Sequence, residues 1–219
     1  MTGTSDTNIS ATIIVFGGTF DPVHRGHIET AKALHQQLGY ERVVLMPCGD
    51  PYHKERVVTP GEHRKAMLQL VAVKEPWLTI DDRECCRKGP TYTVETLSEL
   101  RREYGPSAHI SWVMGTDAAS GLSYWYNWRS LFDLANVLVV KRAGEPEVDL
   151  RSWPGRQVND VETFKASVCG AFLEVELPQI ELSSSQVRSE LQQHSPVDNH
   201  VPRDVIKYIE QHGLYRGNN

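Results

Sequence analysis

Cysteine is scarce in this chain: 219 residues hold four, at Cys48, Cys85, Cys86 and Cys169. None belongs to a C-x-x-C pair, and the adjacent Cys85 and Cys86 are expected to be half-buried thiols in a reducing cytosol rather than a vicinal disulfide. Long apolar runs are missing as well. Nothing approaches the roughly 18 residues that a membrane helix needs, so no membrane partner is expected. The start, Met1 to Ala11, is rich in Thr and Ser and has no basic end followed by an apolar core. It is expected to be a disordered tail rather than a secretory signal, which leaves the protein in the cytoplasm. Positive charge is in deficit: 23 Lys and Arg stand against 28 Asp and Glu, a net charge of −5. A general nucleic-acid binder would be basic overall or carry a basic stripe, and neither is present. Small anionic substrates remain open, because local geometry overrides a mildly acidic average. There is no internal repeat and no low-complexity stretch.

What remains is an ordinary globular composition, 40% hydrophobic and 23% charged. A chain this long buries roughly 70% of its unfolded surface and needs no disulfide or structural metal to fold. Thr12 to Phe16 is a short β-branched run ending at two glycines, the pattern of a buried parallel strand. From Gly26, apolar Ile28, Ala31, Leu34 and Leu38 fall at helical spacing, and Gly39 ends the helix. The alternation continues with strands at Arg42 to Met46, Trp77 to Ile80, Ile110 to Met114, Val137 to Val140 and Phe172 to Leu177. Helices are expected at Glu62 to Val73, Thr93 to Tyr104 and Trp128 to Ala135, with two more after Ser184, the last opening at Pro202 and closing near Gly213. Short connections between alternating strands and helices imply an α/β fold: a Rossmann-like, doubly wound parallel sheet with helices on both faces and a C-terminal helical segment. Residues 12–216 are expected to form one domain, with 143–170 an irregular excursion and 184–213 the C-terminal helices. Ligands of such sheets bind beyond the carboxyl ends of the strands, where Gly17 to His27, Gly115-Thr116-Asp117 and Lys141-Arg142 all fall.

The segment Gly17-Gly18-Thr19-Phe20-Asp21-Pro22-Val23-His24-Arg25-Gly26-His27 is neither a G-x-G-x-x-G fingerprint nor a P-loop, since no Lys-Ser/Thr follows. Two glycines let backbone approach a ligand that a Cβ would exclude, although a plain tight turn reads the same way. His24 and His27 tip the balance. They stand three apart where a helix begins, with Gly26 leaving its N-terminus unshielded. Exposed N–H groups and two imidazoles there make a phosphate site. The helix dipole contributes at most about 2 kcal/mol, whereas enzymes lower barriers by at least about 8, so positioning and charged donors must supply the rest. Nearby phosphate anions favour the protonated imidazole. A zinc pair is the weaker reading, with no Cys or acidic motif at ligand spacing, and no metal-ligating residue is assigned. A satisfied core histidine is the structural alternative.

The pattern strand-G-G-T-F-D-P-x-H-x-G-H-helix resembles the signature of the nucleotidylyltransferase superfamily. From about Ile13 to Tyr215 the chain is similar to the bacterial nicotinate mononucleotide adenylyltransferases, which transfer AMP from ATP to nicotinate mononucleotide and so make deamido-NAD and pyrophosphate. Leu182-Ser183-Ser184-Ser185-Gln186-Val187-Arg188 resembles that family's I-S-S-T-x-I-R, with mild changes at three positions. Serines there cap the following helix, and Arg188 is a permanent cation for the β- and γ-phosphates. Thr91-Tyr92-Thr93 matches the family's T/S-Y-T, implicated in holding the nicotinate carboxylate. Trp125 aligns with the tryptophan that stacks on the pyridine ring. Pro51-Tyr52-His53-Lys54 resembles P-P-H-K, a mobile loop near the mononucleotide phosphate, with Tyr52 in place of the second proline.

The resemblance implies an ATP site built from Gly17, Gly18, Thr19, Phe20, His24, His27, Gly115, Asp117, Ser184 and Arg188. It implies a mononucleotide site built from Thr19, His53, Lys54, Thr91, Tyr92, Thr93 and Trp125. His24, His27 and Arg188 would be catalytic, Asp117 would contact a ribose, and Lys141 and Arg142 would contact phosphates. Mg²⁺ would arrive on the ATP phosphates, since no carboxylate cluster cages it. Sister enzymes acting on nicotinamide mononucleotide or phosphopantetheine share the glycine–histidine segment and stay open as alternatives. Monomer and homo-oligomer are equally open.

Overall fold

The structure is a computed structural model that describes residues 11–49, 59–141, 148–177 and 182–216. Its strands and helices follow in the order β1 (Thr12–Gly18), α1 (Arg25–Gln36), β2 (Val43–Pro47), α2 (Gly61–Ala72), β3 (Leu78–Ile80), α3 (Arg83–Cys86), α4 (Thr93–Tyr104), β4 (His109–Gly115) and α5 (Thr116–Ser120). Two 3₁₀ turns, Leu122–Tyr124 and Trp128–Ser130, lead into α6 (Leu131–Leu134), β5 (Asn136–Lys141), β6 (Arg156–Gln157), α7 (Val161–Lys165), β7 (Ala171–Glu176), α8 (Ser184–Gln192) and α9 (Arg203–Gln211). The seven strands form one all-parallel sheet in the order β3-β2-β1-β4-β5-β7-β6.

Strand side chains alternate between two cores, one on each face. Ile14 of β1, Val113 of β4 and Leu138 and Val140 of β5 pack with α1, α2, α8 and α9. Ile13 and Val15, Ile110, Trp112 and Met114, and Val137 and Val139 pack with α4 and the segment that ends in α6. That period of two is what a sheet covered on both faces requires. The expected elements are all present, with Trp128 to Ala135 divided between a 3₁₀ turn and α6. The stretch read as an irregular excursion contains more order than its Pro, Gly and Asp content suggested. Within it β6 adds a parallel edge to β7, and α7 buries Phe164.

The ladder positions the cleft. β1 pairs with β4 from Thr12↔His109 only as far as Phe16↔Val113. Beyond that, Gly17 and Gly18 stay with Met46 and Pro47 of β2, while Met114 and Gly115 stay with Val139 and Val140 of β5. The two central strands therefore part at their carboxyl ends, at the point where strand order reverses. Gly17 is fixed there by packing as much as by any ligand. A Cβ on it would lie 2.7 Å from Cζ2 of Trp112, and one on Gly18 would lie 3.0 Å from the Phe20 ring.

At the opposite end of β4 a buried polar knot ties the sheet together. His109 Nδ1 donates to the Ser167 carbonyl at 2.6 Å, and its Nε2 lies 2.6 Å from the Ser111 hydroxyl. Tyr40 Oη lies 3.0 Å from that same hydroxyl. Burial, opposed by the bond to Ser167, holds the imidazole below its usual value of 6.5.

Gly17→Ala must displace the Trp112 ring, so thermal or urea denaturation should show a loss of about 1–3 kcal/mol. The unfolded chain takes up a proton on His109 near pH 6.5, which the folded chain resists. Stability from this group is thus complete above about pH 6.5 and falls below it, by up to about 1.4 kcal/mol per pH unit. His109→Gln should flatten that slope between pH 5 and 6.5 (on the order of one proton) in denaturant titrations at a series of pH values.

Candidate active site

The parted strands leave a cleft of about 250 Å³, lined by Gly17 and Gly18 of β1, His24, Gly26, His27 and Thr30 around α1, Gly115, Thr116 and Asp117 after β4, and Ser183 and Ser184 at α8. Two helix N-termini, those of α1 and α8, open on this one space, and partial positive charge converges there.

His24 is the N-cap of α1, with extended backbone at φ −141° and ψ 171°. Its ring stacks on that of His27 with centroids 3.7 Å apart and planes within 21°. The His24 backbone N–H donates to Nδ1 of His27 at 3.3 Å, the returning half of a capping box. An accepting Nδ1 must carry its lone pair, so the ring hydrogen sits on Nε2. In this geometry His27 therefore acts as a neutral N–H donor, and no imidazolium is needed to explain its arrangement. Phe20 holds it from behind, ring edge to ring face at 4.9 Å. Phe20 itself is 1% exposed and belongs to the wall behind His27 rather than to the cleft surface.

At α8 the capping role falls to Ser183, whose hydroxyl accepts from the Gln186 N–H at 3.1 Å. Ser184 instead donates to the Pro22 carbonyl at 3.1 Å and stitches α8 to the glycine–histidine segment. Arg188, one turn on, is not among the residues lining the cleft. Its Nη1 donates to the Asp21 carbonyl and its Nη2 to Ser185 Oγ at 2.8 Å. Nη1 also lies 3.8 Å from the Asp21 carboxylate.

Three anchoring residues escaped the sequence reading. Asp21 was seen only as a letter of the motif; it is 4% exposed and accepts from Tyr215 Oη at 2.6 Å and from the Thr59 N–H at 3.5 Å. Burial, then the adjacent Asp21 charge, pushes the Tyr215 phenol above its usual range and keeps it a donor. Arg64 is fully buried on α2, donating through Nε to the Thr59 carbonyl at 2.8 Å and through Nη1 to the Thr19 carbonyl at 2.9 Å. The signal was available: Arg64, Met67, Leu68 and Val71 share the helix face turned to the core. The Thr19 backbone is thus held from beneath, although its side chain is not among those lining the cleft.

The mononucleotide candidates form a second group, on the face of the sheet that α4 covers rather than the face that carries α1 and α8. Thr91 packs on the backbone of Gly49, where an added Cβ would meet its side chain at 2.8 Å. Tyr92 caps α4, and its ring lies 4.5 Å from that of Tyr126. Thr93 begins α4, and Trp125 is half-buried against the second core. None of Thr91, Tyr92, Thr93 and Trp125 is among the residues lining the cleft around His24. Lys141 lies 3.9 Å from the Glu174 carboxylate on β7. His53, Lys54 and their loop neighbours Pro51 and Tyr52 fall outside the described residues, as does Arg142.

Comparison with known proteins bears on this arrangement. The family model described as cytidylyltransferase-like matches residues 15–190. A protein of Chromobacterium violaceum named "Probable nicotinate-nucleotide adenylyltransferase" is 39% identical over 95% of this chain and 100% of its own length. One of the same name from Serratia proteamaculans is 34% identical over 98% of this chain and 99% of its own. Among solved structures, Plasmodium falciparum nicotinic acid mononucleotide adenylyltransferase complexed with NaAD superposes with a TM-score of 0.72. It covers 94% of this chain and 97% of that one at 16% identity, a likeness of fold.

Proposed function

Because the chain belongs to the cytidylyltransferase-like family, and within it to the nicotinate-nucleotide adenylyltransferases, we propose that the cleft between β1 and β4 transfers AMP from ATP to nicotinate mononucleotide, releasing pyrophosphate and leaving deamido-NAD. The observation that carries this reading is the convergence of two helix N-termini and the stacked His24–His27 pair on one cleft at the reversal of strand order. An acyl or glycosyl transfer would need a nucleophile–base pair or paired carboxylates. Phosphate capture needs N–H donors at helix starts, which is what lines the walls.

The mononucleotide phosphate is already an anion and needs no general base. It attacks the α-phosphorus in line as the bond to pyrophosphate breaks, with no covalent enzyme intermediate. The protein's task is to hold two anions together and to stabilise charge spread over the transferring group. His27 Nε2–H and His24 face the α- and β-phosphates. Thr19, its carbonyl held by Arg64, spans the bridging region. Ser184 and Arg188 hold the departing pyrophosphate, and Asp117, in the first turn of α5, takes a ribose hydroxyl. Asp117 is the carboxylate among the described cleft residues, a donor set that suits Mg²⁺ bound chiefly by the ATP phosphates and water rather than by protein. When bound, the ion would neutralise phosphate charge. Thr91, Tyr92, Thr93 and Trp125 take the pyridine ring and its carboxylate. Four free thiols support a cytoplasmic setting.

The test is steady-state kinetics on ATP with nicotinate mononucleotide. His27→Ala should fold normally and lose about 100-fold or more in kcat, as removal of one preorganised donor does elsewhere. Retention of more than about a third of wild-type kcat would remove His27 from the chemistry. Trp125→Ala should chiefly raise KM for the mononucleotide, by roughly tenfold for a lost stacking partner. A rise confined to KM for ATP would contradict the stacking role.

A further inference from the structure

We propose that Tyr215 is a positioning residue for the reaction: its hydroxyl orients the Asp21 carboxylate, and Asp21 in turn aims Arg188. The inference rests on the reading that Arg188 holds the leaving pyrophosphate.

The geometry is a chain of three side chains. Tyr215 Oη donates to Asp21 Oδ1 at 2.6 Å, and the other carboxylate oxygen, Oδ2, lies 3.8 Å from Arg188 Nη1. Arg188 Nη1 also donates to the Asp21 backbone carbonyl, so side chain and main chain of one residue engage the same nitrogen. Ser185 engages Nη2 at 2.8 Å and fixes the rotation of the guanidinium plane. Nearly all of this is out of water: the side chains of Arg188 and Asp21 are 11% and 6% exposed. In such a place a carboxylate oxygen that loses its donor does not turn to solvent, and it competes instead for the nearest cation.

The chain bends sharply to make the contact. Tyr215 has a left-handed backbone at φ +59°, a conformation that residues other than Gly, Asn and Asp rarely adopt. That bend, four residues past the end of α9, turns the phenol inward to the glycine–histidine segment. A tyrosine 194 positions away in sequence thereby reaches the residue three before His24. Phenylalanine would fill the same volume and keep the packing, so the hydroxyl can be tested alone.

The test is a double-mutant cycle on the full chain with Tyr215→Phe, Arg188→Lys and the pair. Tyr215→Phe should lower kcat about tenfold, leave KM for the mononucleotide within about twofold, and weaken inhibition by inorganic pyrophosphate about as much as it lowers kcat. In the Arg188→Lys background the same change should cost less than about twofold, because the group it aims is gone. A purely structural role would lower the melting temperature and leave pyrophosphate inhibition untouched. Unchanged kcat in Tyr215→Phe, or a full additional tenfold loss in the Arg188→Lys background, overturns the relay alone. Wild-type kcat in Arg188→Lys overturns the pyrophosphate role and the relay with it. If Tyr215→Phe does not fold, Asp21→Asn replaces it in the cycle under the same criteria.

Discussion

The site depends on where one hydrogen-bonded ladder stops. β1 and β4 run side by side until Phe16 and Val113 and then follow different neighbours. Had the ladder continued, no cleft would lie between them. The parting is enforced from both sides: Gly18 is paired to Pro47 and Gly115 to Val140, while the Trp112 ring closes over Gly17 and admits no Cβ. α1 then starts after its N-cap His24, and Gly26 and His27 of its first turn line the opened space. The packing constraint and the binding site are thus one feature, and the glycines serve the sheet before they serve a ligand.

Around that opening the glycine–histidine segment is anchored from three directions. Ser184 and Arg188 bind it from α8, Tyr215 from the end of the chain, and Arg64 from α2. These bonds are buried or half-buried, where a lost partner costs more than the bond itself contributes. The histidine pair needs such a frame. Two rings 3.7 Å apart are held by the capping box between His24 and His27 and by the rings of Phe20 and Phe16, so small backbone shifts would unstack them.

Much of this could be read before any coordinates. The periods of two and 3.6 located the long strands and helices, and the order β-α-β-α implied the parallel sheet. The elements that escaped are short: α3, α5, α7 and β6 have between two and five residues, too few for a period to show. At the site, residues whose role lies in a contiguous motif were legible, namely Gly17, Gly18, His24, His27 and Ser184, and they meet in one cleft. Asp21, Arg64 and Tyr215 were not, because their roles consist of contacts across 38 to 194 positions that no local pattern encodes. The ring tautomer of His27 was illegible for the same reason. A nearby phosphate argues for imidazolium, and only the bond from the His24 N–H shows which nitrogen carries the hydrogen.

The central claim is that the space between the parted ends of β1 and β4 is where ATP is cleaved. The most direct measurement is a crystal structure of the protein with a non-hydrolysable ATP analogue and nicotinate mononucleotide. The account predicts the α-phosphate about 3 Å from His27 Nε2, with the acceptor phosphate on the side opposite the bond to the pyrophosphate portion. Phosphates bound elsewhere, with His24 and His27 still stacked beside an empty cleft, would contradict it.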